Sequence, residues 1–403
     1  MTWRRVPPVF SPVSPAALPG ALAVACGLRK ANPDALIAML RTRHEATEVL
    51  LTDSGTSALI LAMRATIPVG ATVAYPAYGC IDLTTAALGA NVKVRLYDID
   101  PVTLSPDLDS VRRAIGRGVS AIVVAHLFGY PADIVGVREI AAEHGVPVIE
   151  DAAQAAGGRL DARSIGSHGD ISVLSFGRGK GMTSGSGGAV LVRRSALEQW
   201  AHRARSMLGP GRTGGREAAA LAAQWILARP MLYRIPASIP GLRLGEMVFH
   251  PPREPRPITS TAAKLLGAAL EMDNNEVRGR RLRAHDIIAR LRPNSRMSPV
   301  RPIAGGESGY LRLALLDTKG DAAALPSVGA VRGYPLTLEQ HPQLRTQLAP
   351  GERAENGALH LRDRLFTAPT HSRVYAKDLS VLIAWATAAN PISVEQLSPV
   401  AVA

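Results

Sequence analysis

The sequence is poor in cysteine, in aromatic residues and in long apolar runs. Its 403 residues include only two cysteines, Cys26 and Cys80, which are too few for a disulfide framework or a four-ligand zinc site. We therefore expect no metal site and a reducing compartment, which is typical of a cytoplasmic protein. No run reaches the ~18 consecutive apolar residues that a membrane-spanning helix needs, so we expect no membrane span.

Acidic residues are also scarce relative to basic ones, with 33 against 46, so the net charge is +13. Three explanations are open: nucleic-acid binding, attraction to an anionic small substrate or membrane surface, and an arginine-rich solvated surface. The arginines are spread along the chain, and the densest stretch, residues 278–301, has no recognised nucleic-acid motif. The solvated surface is therefore favoured, and we expect no nucleic-acid partner.

The first 45 residues predict an irregular arm followed by a first helix. A basic start and an apolar stretch ending at Cys26 superficially suggest a lipid-anchored signal peptide. Five prolines interrupt residues 7–19, however, and no clean apolar helix precedes the cysteine. We therefore treat residues 1–45 as part of the folded protein rather than as a targeting segment.

Apolar residues make up 47% of the chain, and their pattern changes along it. Between residues 46 and 208, short continuous apolar runs such as 119–125 and 146–149 alternate with helical segments, which predicts a large α/β domain with a mostly parallel sheet between helices. Residues 209–260 are rich in glycine and proline and predict an insertion and connection that contains a helix over 217–232. Residues 261–403 predict a smaller C-terminal α+β domain that begins with a long helix over 261–290.

The first segment that can carry chemistry is residues 53–59, where Ser54, Gly55 and Thr56 stand at the start of a predicted helix. Unpaired N–H groups and the helix dipole make such a point an anion site, and phosphate is a common occupant. An ordinary N-cap by Ser54 explains the segment equally well when it is considered alone.

Two further segments follow predicted strands. Asp151 comes directly after the buried run 146–149, at the sheet edge where ligands bind in open α/β sheets, although an N-cap is the alternative role for an aspartate. Lys180 stands among glycines between two strands. The Ser or Thr that a nucleotide P-loop requires after its lysine is absent, because Gly181 follows Lys180. A lysine in a loop over a sheet edge is suited instead to form a Schiff base with an aldehyde cofactor.

The order of these segments resembles the DegT/DnrJ/EryC1/StrS family of pyridoxal-phosphate-dependent sugar aminotransferases. The stretches that carry the resemblance are SGTSAL (54–59), YPAY (75–78), VAHLFG (124–129), EDAAQA (150–155), GSHGD (166–170), SF (175–176), Lys180 and GGA (187–189). The resemblance is dense over residues 50–195 and weaker beyond them. It implies a fold-type I pyridoxal-phosphate transferase domain and pyridoxal 5'-phosphate as the cofactor.

The resemblance also implies two catalytic residues. Lys180 would hold the cofactor as an internal aldimine and then move a proton between the substrate carbon and the cofactor carbon. Asp151 would pair with the pyridinium nitrogen and keep it protonated, so that the ring acts as an electron sink. A solvated loop lysine is the alternative for Lys180. We also expect an apolar pocket and a neighbouring cation to lower the pKa of this lysine.

The remaining implied cofactor contacts come from five residues. The backbone of Gly55 and Thr56, with the Ser175 hydroxyl, would bind the phosphate. Tyr78 would stack on the ring, and Gln154 would lie near the phenolic oxygen. The alternatives are core packing for Tyr78 and a turn hydroxyl for Ser175.

The function that the resemblance implies is transfer of an amino group, from glutamate or glutamine, to a keto group of a nucleotide-linked sugar or related polyol. Such an enzyme would serve polysaccharide or secondary-metabolite biosynthesis, as a homodimer. Two alternatives stay open: a pyridoxal-phosphate-dependent sugar dehydratase, and a non-catalytic relative that binds a ligand or nucleic acid. Some dehydrating relatives carry histidine in place of the lysine, whereas Lys180 is present here. One departure is that residues 256–260 lack the asparagine that a partner subunit usually supplies to the phosphate.

Overall fold

The computed structural model describes residues 4–193, 198–212, 214–239, 241 and 247–388. The strands are β1 (Glu48–Thr52), β2 (Thr72–Pro76), β3 (Lys93–Tyr97), β4 (Ala121–Ala125), β5 (Val148–Asp151), β6 (Arg159–Leu160), β7 (Arg163–Ser164), β8 (Ile171–Ser175), β9 (Gly188–Val192), β10 (Met297–Pro299), β11 (Gly306–Glu307), β12 (Arg312–Asp317), β13 (Val331–Arg332) and β14 (Leu365–Pro369). The α-helices are α1 (Leu18–Ala25), α2 (Pro33–Arg43), α3 (Gly55–Thr66), α4 (Ile81–Ala90), α5 (Leu108–Gly116), α6 (Ile134–Glu143), α7 (Glu198–Ser206), α8 (Gly215–Leu227), α9 (Arg234–Ala237), α10 (Ser260–Ile288), α11 (Asn356–Arg364) and α12 (Ala376–Thr387).

A seven-stranded sheet of order β1-β9-β8-β5-β4-β2-β3 forms the centre of the large domain. Its central pairs, β2 with β3 and β4, β4 with β5, and β5 with β8, are parallel, and β9 runs antiparallel to both of its neighbours. All five residues of β4 are buried, because helices cover both faces of a parallel sheet. The expected α/β domain with a mostly parallel sheet is confirmed.

A second, antiparallel sheet of order β10-β12-β14-β13 lies in the C-terminal part of the chain. It follows the 29-residue helix α10, which begins one residue before the predicted boundary at 261. A separate three-stranded sheet, β11-β6-β7, joins a hairpin of the large domain to this region. The domain boundaries drawn from the sequence stay predictions, and residues 389–403 of the predicted small domain lie outside the described residues.

The insertion departs from its prediction in one respect. Helix α8 ends at Leu227, with Ala228 as its C-cap, whereas the sequence predicts a helix to residue 232. Pro230 explains the early end, because a proline disfavours helical backbone in the residue before it. A short helix, α9, follows within the described part of the insertion, and residues 240 and 242–246 lie outside it.

The described residues show no feature of a membrane span or of a metal centre. None of their helices is long and apolar enough to cross a membrane. They also contain no group of three or more histidine, cysteine or acidic side chains arranged to hold a metal ion.

Candidate active site at the carboxyl edge of the sheet

A cleft opens where β4, β5 and β8 end and where α3 begins. Since the carboxyl ends of parallel strands share one edge of the sheet, residues that are far apart in the sequence meet there. Six of the seven predicted site residues line this cleft: Gly55, Thr56, Asp151, Gln154, Ser175 and Lys180. The fold therefore brings the three chemistry-bearing segments into a single site.

The N-terminus of α3 forms one end of the cleft. Ser54 caps the helix, because its hydroxyl accepts a hydrogen bond from the Ser57 N–H at 3.0 Å. Gly55 lies so close to β8 that a Cβ added there would be 2.6 Å from Ser175 Cβ and 2.8 Å from its Oγ. The N–H groups of the first helical turn have no acceptor within the helix. Together with the Ser175 hydroxyl, the N–H groups of Gly55 and Thr56 form a cradle suited to a phosphate.

The segment before α10 runs beside this cradle. The Asp53 N–H donates to the Arg256 carbonyl at 2.8 Å, and Thr52 forms a bridge with Pro257. This segment is the one that lacks the expected asparagine, and in this chain its backbone packs against the turn that precedes α3.

Asp151 ends β5 and faces the cleft. Its Oδ1 accepts a hydrogen bond from the Ala153 N–H at 3.0 Å. Burial raises the pKa of this carboxyl above its ordinary value, although the Ala153 N–H and the Lys180 ammonium act in the opposite direction. A buried carboxylate in this state is stabilised by a cationic N–H partner, which is what a protonated pyridine ring would offer.

Lys180 lies between two glycines with left-handed backbone, Gly179 at φ +80° and Gly181 at φ +73°. Burial of its amine acts to lower the pKa, but the Cys80 thiol and the Asp82 and Asp151 carboxylates act to raise it. The net result is a pKa above the ordinary value for lysine. The expectation of a lowered pKa is therefore wrong for this structure, because the charges beside the amine are carboxylates rather than another cation.

Gln154 reaches the cleft from the loop after β5, and both of its side-chain polar atoms have partners. Its Oε1 accepts from the Phe128 N–H at 2.9 Å, and its Nε2 donates to the Tyr334 hydroxyl at 2.7 Å. Tyr334 also stacks on Phe128, with ring centroids 5.0 Å apart. Gln154 thereby links the cleft to the C-terminal part of the chain.

Tyr78 is fully buried and does not line the cleft. Its hydroxyl accepts a hydrogen bond from the Tyr334 N–H at 2.7 Å, and the two rings lie 5.3 Å apart. Just after Tyr78 in the chain, Cys80, Asp82 and Leu83 line the cleft, and the Cys80 Sγ lies 3.5 Å from the Asp82 carboxylate. The stacking of Tyr78 on a cofactor ring stays a prediction, and the structure gives its side chain a packing role.

Two neighbouring residues, His126 and Glu150, support the sheet edge. His126 lines the cleft, with Nδ1 accepting from the Ala132 N–H at 2.9 Å and Nε2 lying 3.1 Å from Glu150 Oε1. Glu150 is fully buried and also accepts from the N–H groups of residues 166, 168 and 169. Burial opposes its ionisation, but the hydrogen bond from His126 and the charge of Arg193 hold the pKa of Glu150 well below its ordinary value. The sequence offered little signal for this pair beyond their positions at strand ends.

A larger cavity of about 690 Å³ shares Ala153, Ser175 and Lys180 with the cleft. Four arginines contribute to its lining: Arg43, Arg159, Arg278 and Arg281. Arg43 pairs with Asp273, and Arg281 pairs with Glu307 at 3.0 Å, whereas Arg159 and Arg278 are exposed. In the described part of the chain, no carboxylate lines this cavity, so its electrostatic character is basic.

Comparison with known proteins gives a consistent result. Residues 32–220 match the model of the DegT/DnrJ/EryC1/StrS aminotransferase family. The chain is 37% identical over 171 residues to an L-glutamine:2-deoxy-scyllo-inosose aminotransferase of Micromonospora echinospora, a stretch covering 42% of this chain and 40% of that protein. It is 36% identical over 148 residues to a UDP-N-acetyl-3-dehydro-alpha-D-glucosamine 3-aminotransferase of Acidithiobacillus ferrooxidans, covering 36% of this chain and 40% of that protein. The match therefore spans about two fifths of these curated relatives.

The fold is shared over a much longer stretch. The aminotransferase TlmJ from Streptoalloteichus hindustanus superposes with a TM-score of 0.75 at 23% identity, covering 96% of this chain and 98% of that one. The GDP-4-keto-6-deoxy-D-mannose-3-dehydratase of E. coli superposes with a TM-score of 0.74 at 14% identity, covering 95% and 99%. Since an aminotransferase and a dehydratase superpose equally well on this chain, the likeness establishes the fold but does not distinguish between the two reactions. The reaction has to be inferred from the residues of the site.

Proposed function

We propose that the chain, whose residues 32–220 match the model of the DegT/DnrJ/EryC1/StrS aminotransferase family, is a pyridoxal-phosphate-dependent aminotransferase. It moves an amino group from glutamine or glutamate to the keto group of a nucleotide-linked sugar or related polyol. The observation that carries the proposal is the meeting of Lys180, Asp151, Ser175 and Gly55 in one cleft.

The residues of the cleft fit pyridoxal phosphate by their chemistry. A phosphate requires N–H and hydroxyl donors, which the first turn of α3 and the Ser175 hydroxyl offer. Glycine at position 55 keeps these donors close together, because a Cβ there would collide with Ser175. An aldehyde requires an amine, and Lys180 is the lysine that lines the cleft in the described residues. A protonated ring nitrogen requires a carboxylate, and Asp151 lies on the same wall.

When bound, the cofactor supplies an electron sink that weakens a C–H bond of the substrate. Asp151 would hold a proton on the ring nitrogen through its carboxylate, and the first turn of α3 with Ser175 would fix the phosphate. Lys180 Nζ would hold the aldehyde carbon and, once released, carry the proton between carbon atoms. Its raised pKa implies that the free amine is mainly protonated at neutral pH, so only a minor neutral fraction would be able to attack an aldehyde.

The arginine-lined cavity beside Lys180 supports an anionic acceptor substrate. Arg159 and Arg278 are exposed there, and no carboxylate lines the cavity within the described residues. Guanidinium groups bind phosphate oxygens well. We therefore favour a nucleotide-linked keto sugar over a neutral keto polyol, although relatives act on both kinds.

A reconstitution experiment tests the reaction. The purified protein, incubated with pyridoxal phosphate and then borohydride, should carry a stable adduct that mass spectrometry locates on Lys180. Loaded protein with glutamine and a panel of keto sugar nucleotides and inososes should yield an aminated product. Lys180→Arg should lose the adduct, and Asp151→Asn should retain it while turnover falls by about 10²-fold or more.

Other outcomes separate the alternatives. A deoxygenated, unaminated sugar would identify a dehydratase, and a protein that fails to form the adduct would contradict the proposed role of Lys180. We also propose that the chain works as a cytoplasmic homodimer, as the resemblance implies, and sedimentation equilibrium of the loaded protein would test the dimer.

A further inference from the structure

The loop that carries Lys180 has little conformational preference of its own. Lys180 stands between Gly179 and Gly181, and both glycines adopt positive φ. Glycine tolerates many backbone conformations, so local sequence alone does not orient the lysine. Something outside the loop must hold the backbone if the amine is to point into the cleft.

The N-terminal arm holds one side of the lysine. The Gly179 N–H donates to the Ser11 hydroxyl at 3.0 Å, and Ser11 is fully buried. The Ser11 carbonyl in turn accepts from Gln224 Nε2 at 3.1 Å. Because Gln224 belongs to α8, the insertion contacts the N-terminal arm, and the arm in turn contacts the loop that carries Lys180.

Helix α10 holds the other side. Arg280 is fully buried, and its Nη2 donates to the Gly181 carbonyl at 3.0 Å. Its Nη1 lies 3.4 Å from the Ala156 carbonyl, in the loop that follows Asp151. Glu276, one turn earlier, lies 3.7 Å from Arg280 Nε. A single guanidinium thus ties the lysine loop to the loop that follows Asp151.

We propose that Ser11 and Arg280 are positioning residues that clamp the glycines on either side of Lys180 and so orient its amine. The inference rests on the proposed function, because it concerns the residue that would hold the cofactor. Both residues lie outside residues 32–220, the part that matches the family. Loss of either contact frees one end of a glycine-flanked loop, and misplacement of a reacting group by about 1 Å costs up to roughly 10²-fold in rate.

The experiment compares Ser11→Ala and Arg280→Met with two matched controls. Ser14→Ala alters the same arm at a hydroxyl that makes no capping hydrogen bond. Arg283→Met alters the same helix at an arginine whose Nη1 donates to the Thr370 carbonyl. Each variant is loaded with pyridoxal phosphate, and the absorbance of the lysine–cofactor adduct is titrated with pH. Turnover, KM and the thermal midpoint of the cofactor-free protein are measured in parallel.

The clamp predicts a specific combination of changes. Ser11→Ala and Arg280→Met should lower kcat by about tenfold or more with little change in KM, and should shift the adduct's titration midpoint by about half a pH unit or more. Ser11→Thr, which keeps the hydroxyl, should restore both values, and the two controls should match the wild type.

Two results would count against different claims. If the wild type forms no adduct, the proposed function fails whatever the clamp does. If the wild type loads normally and Ser11→Ala titrates and turns over like Ser14→Ala, the clamp is overturned. Should Arg280→Met fail to fold, the Ser11 pair of variants decides the matter alone.

Discussion

A single methyl group on Gly55 should damage the cradle at the start of α3. The added Cβ would lie 2.6 Å from Ser175 Cβ, 2.8 Å from its Oγ and 3.2 Å from its Cα. The last contact involves backbone of β8, so rotation of the serine side chain relieves only part of the clash. Overpacking of this kind costs about 1–3 kcal/mol, and the movement also displaces the proposed phosphate donors.

Helix α10 offers a matched control for the substitution at Gly55. Gly267 lies inside α10, and an added Cβ there meets no atom within 4 Å. Gly267→Ala should therefore raise the free energy of unfolding by about 0.5–1 kcal/mol, the usual gain for alanine over glycine in a helix. The same substitution at Gly55 should lower it, so the two variants should change stability in opposite directions.

Two assays check this prediction. Urea denaturation of cofactor-free protein should give the opposite stability changes, and equilibrium titration with pyridoxal phosphate should give Gly55→Ala a Kd at least about tenfold higher, equal to a loss of about 1.4 kcal/mol. Gly267→Ala should bind as the wild type does. Wild-type affinity in Gly55→Ala would refute the assignment of the cradle, and unchanged stability would refute the steric reasoning.

Three further predictions follow from pKa values. The raised pKa of Lys180 leaves little neutral amine near pH 7. The rate of cofactor capture, followed by stopped-flow absorbance, should therefore rise close to tenfold per pH unit between about pH 7 and 9. A rate that does not change with pH would contradict this prediction. Desolvation raises the pKa of Cys80 to about 12, so iodoacetamide should alkylate exposed Cys26 before the half-buried Cys80, and cofactor loading should slow the labelling of Cys80 further. Equal labelling of both thiols, by peptide mass spectrometry, would be inconsistent with the position of Cys80 in the cleft. Burial lowers the pKa of His44 and His371 to about 3, so both stay neutral in the native state while the unfolded chain binds their protons. The free energy of unfolding should therefore fall as pH drops below about 6.5, and His371→Gln should reduce that slope.

Much of the large domain could be predicted because its elements are locally specified. The run that forms β4 is apolar throughout, and the helix that follows Ser54 begins with a side-chain cap and continues with apolar residues. Helix α5 and strand β14 were not predicted, although Asp107 caps α5 with its side chain as Ser54 caps α3. All five residues of β14 are buried, but its sequence ends in an alanine and a proline, which are disfavoured in strands, so its strand character depends on pairing with β12.

Some residues of the site could likewise be predicted from the local sequence, and others could not. Gly55 and Asp151 stand at helix and strand ends that the sequence marks clearly, and Lys180 stands in the glycine-rich loop that follows β8, so all three lie at the carboxyl edge of the sheet. Cys80 lines the cleft and Tyr78 does not, because of the way the chain turns between β2 and α4. No periodic sequence pattern predicts that turn.

The sequence by itself therefore determined the sheet, its motifs and the resemblance to a family, because apolar periodicity and the positions of glycines depend on a few neighbouring residues. Only the tertiary structure decided the environment of those motifs. The carboxylates that raise the pKa of Lys180 are 98 and 29 residues away in the sequence, at Asp82 and Asp151, and Ser11 and Arg280 reach its loop from still farther away. Electrostatic and hydrogen-bonding contacts of this kind depend on distance in space, which the order of residues along the chain does not encode locally.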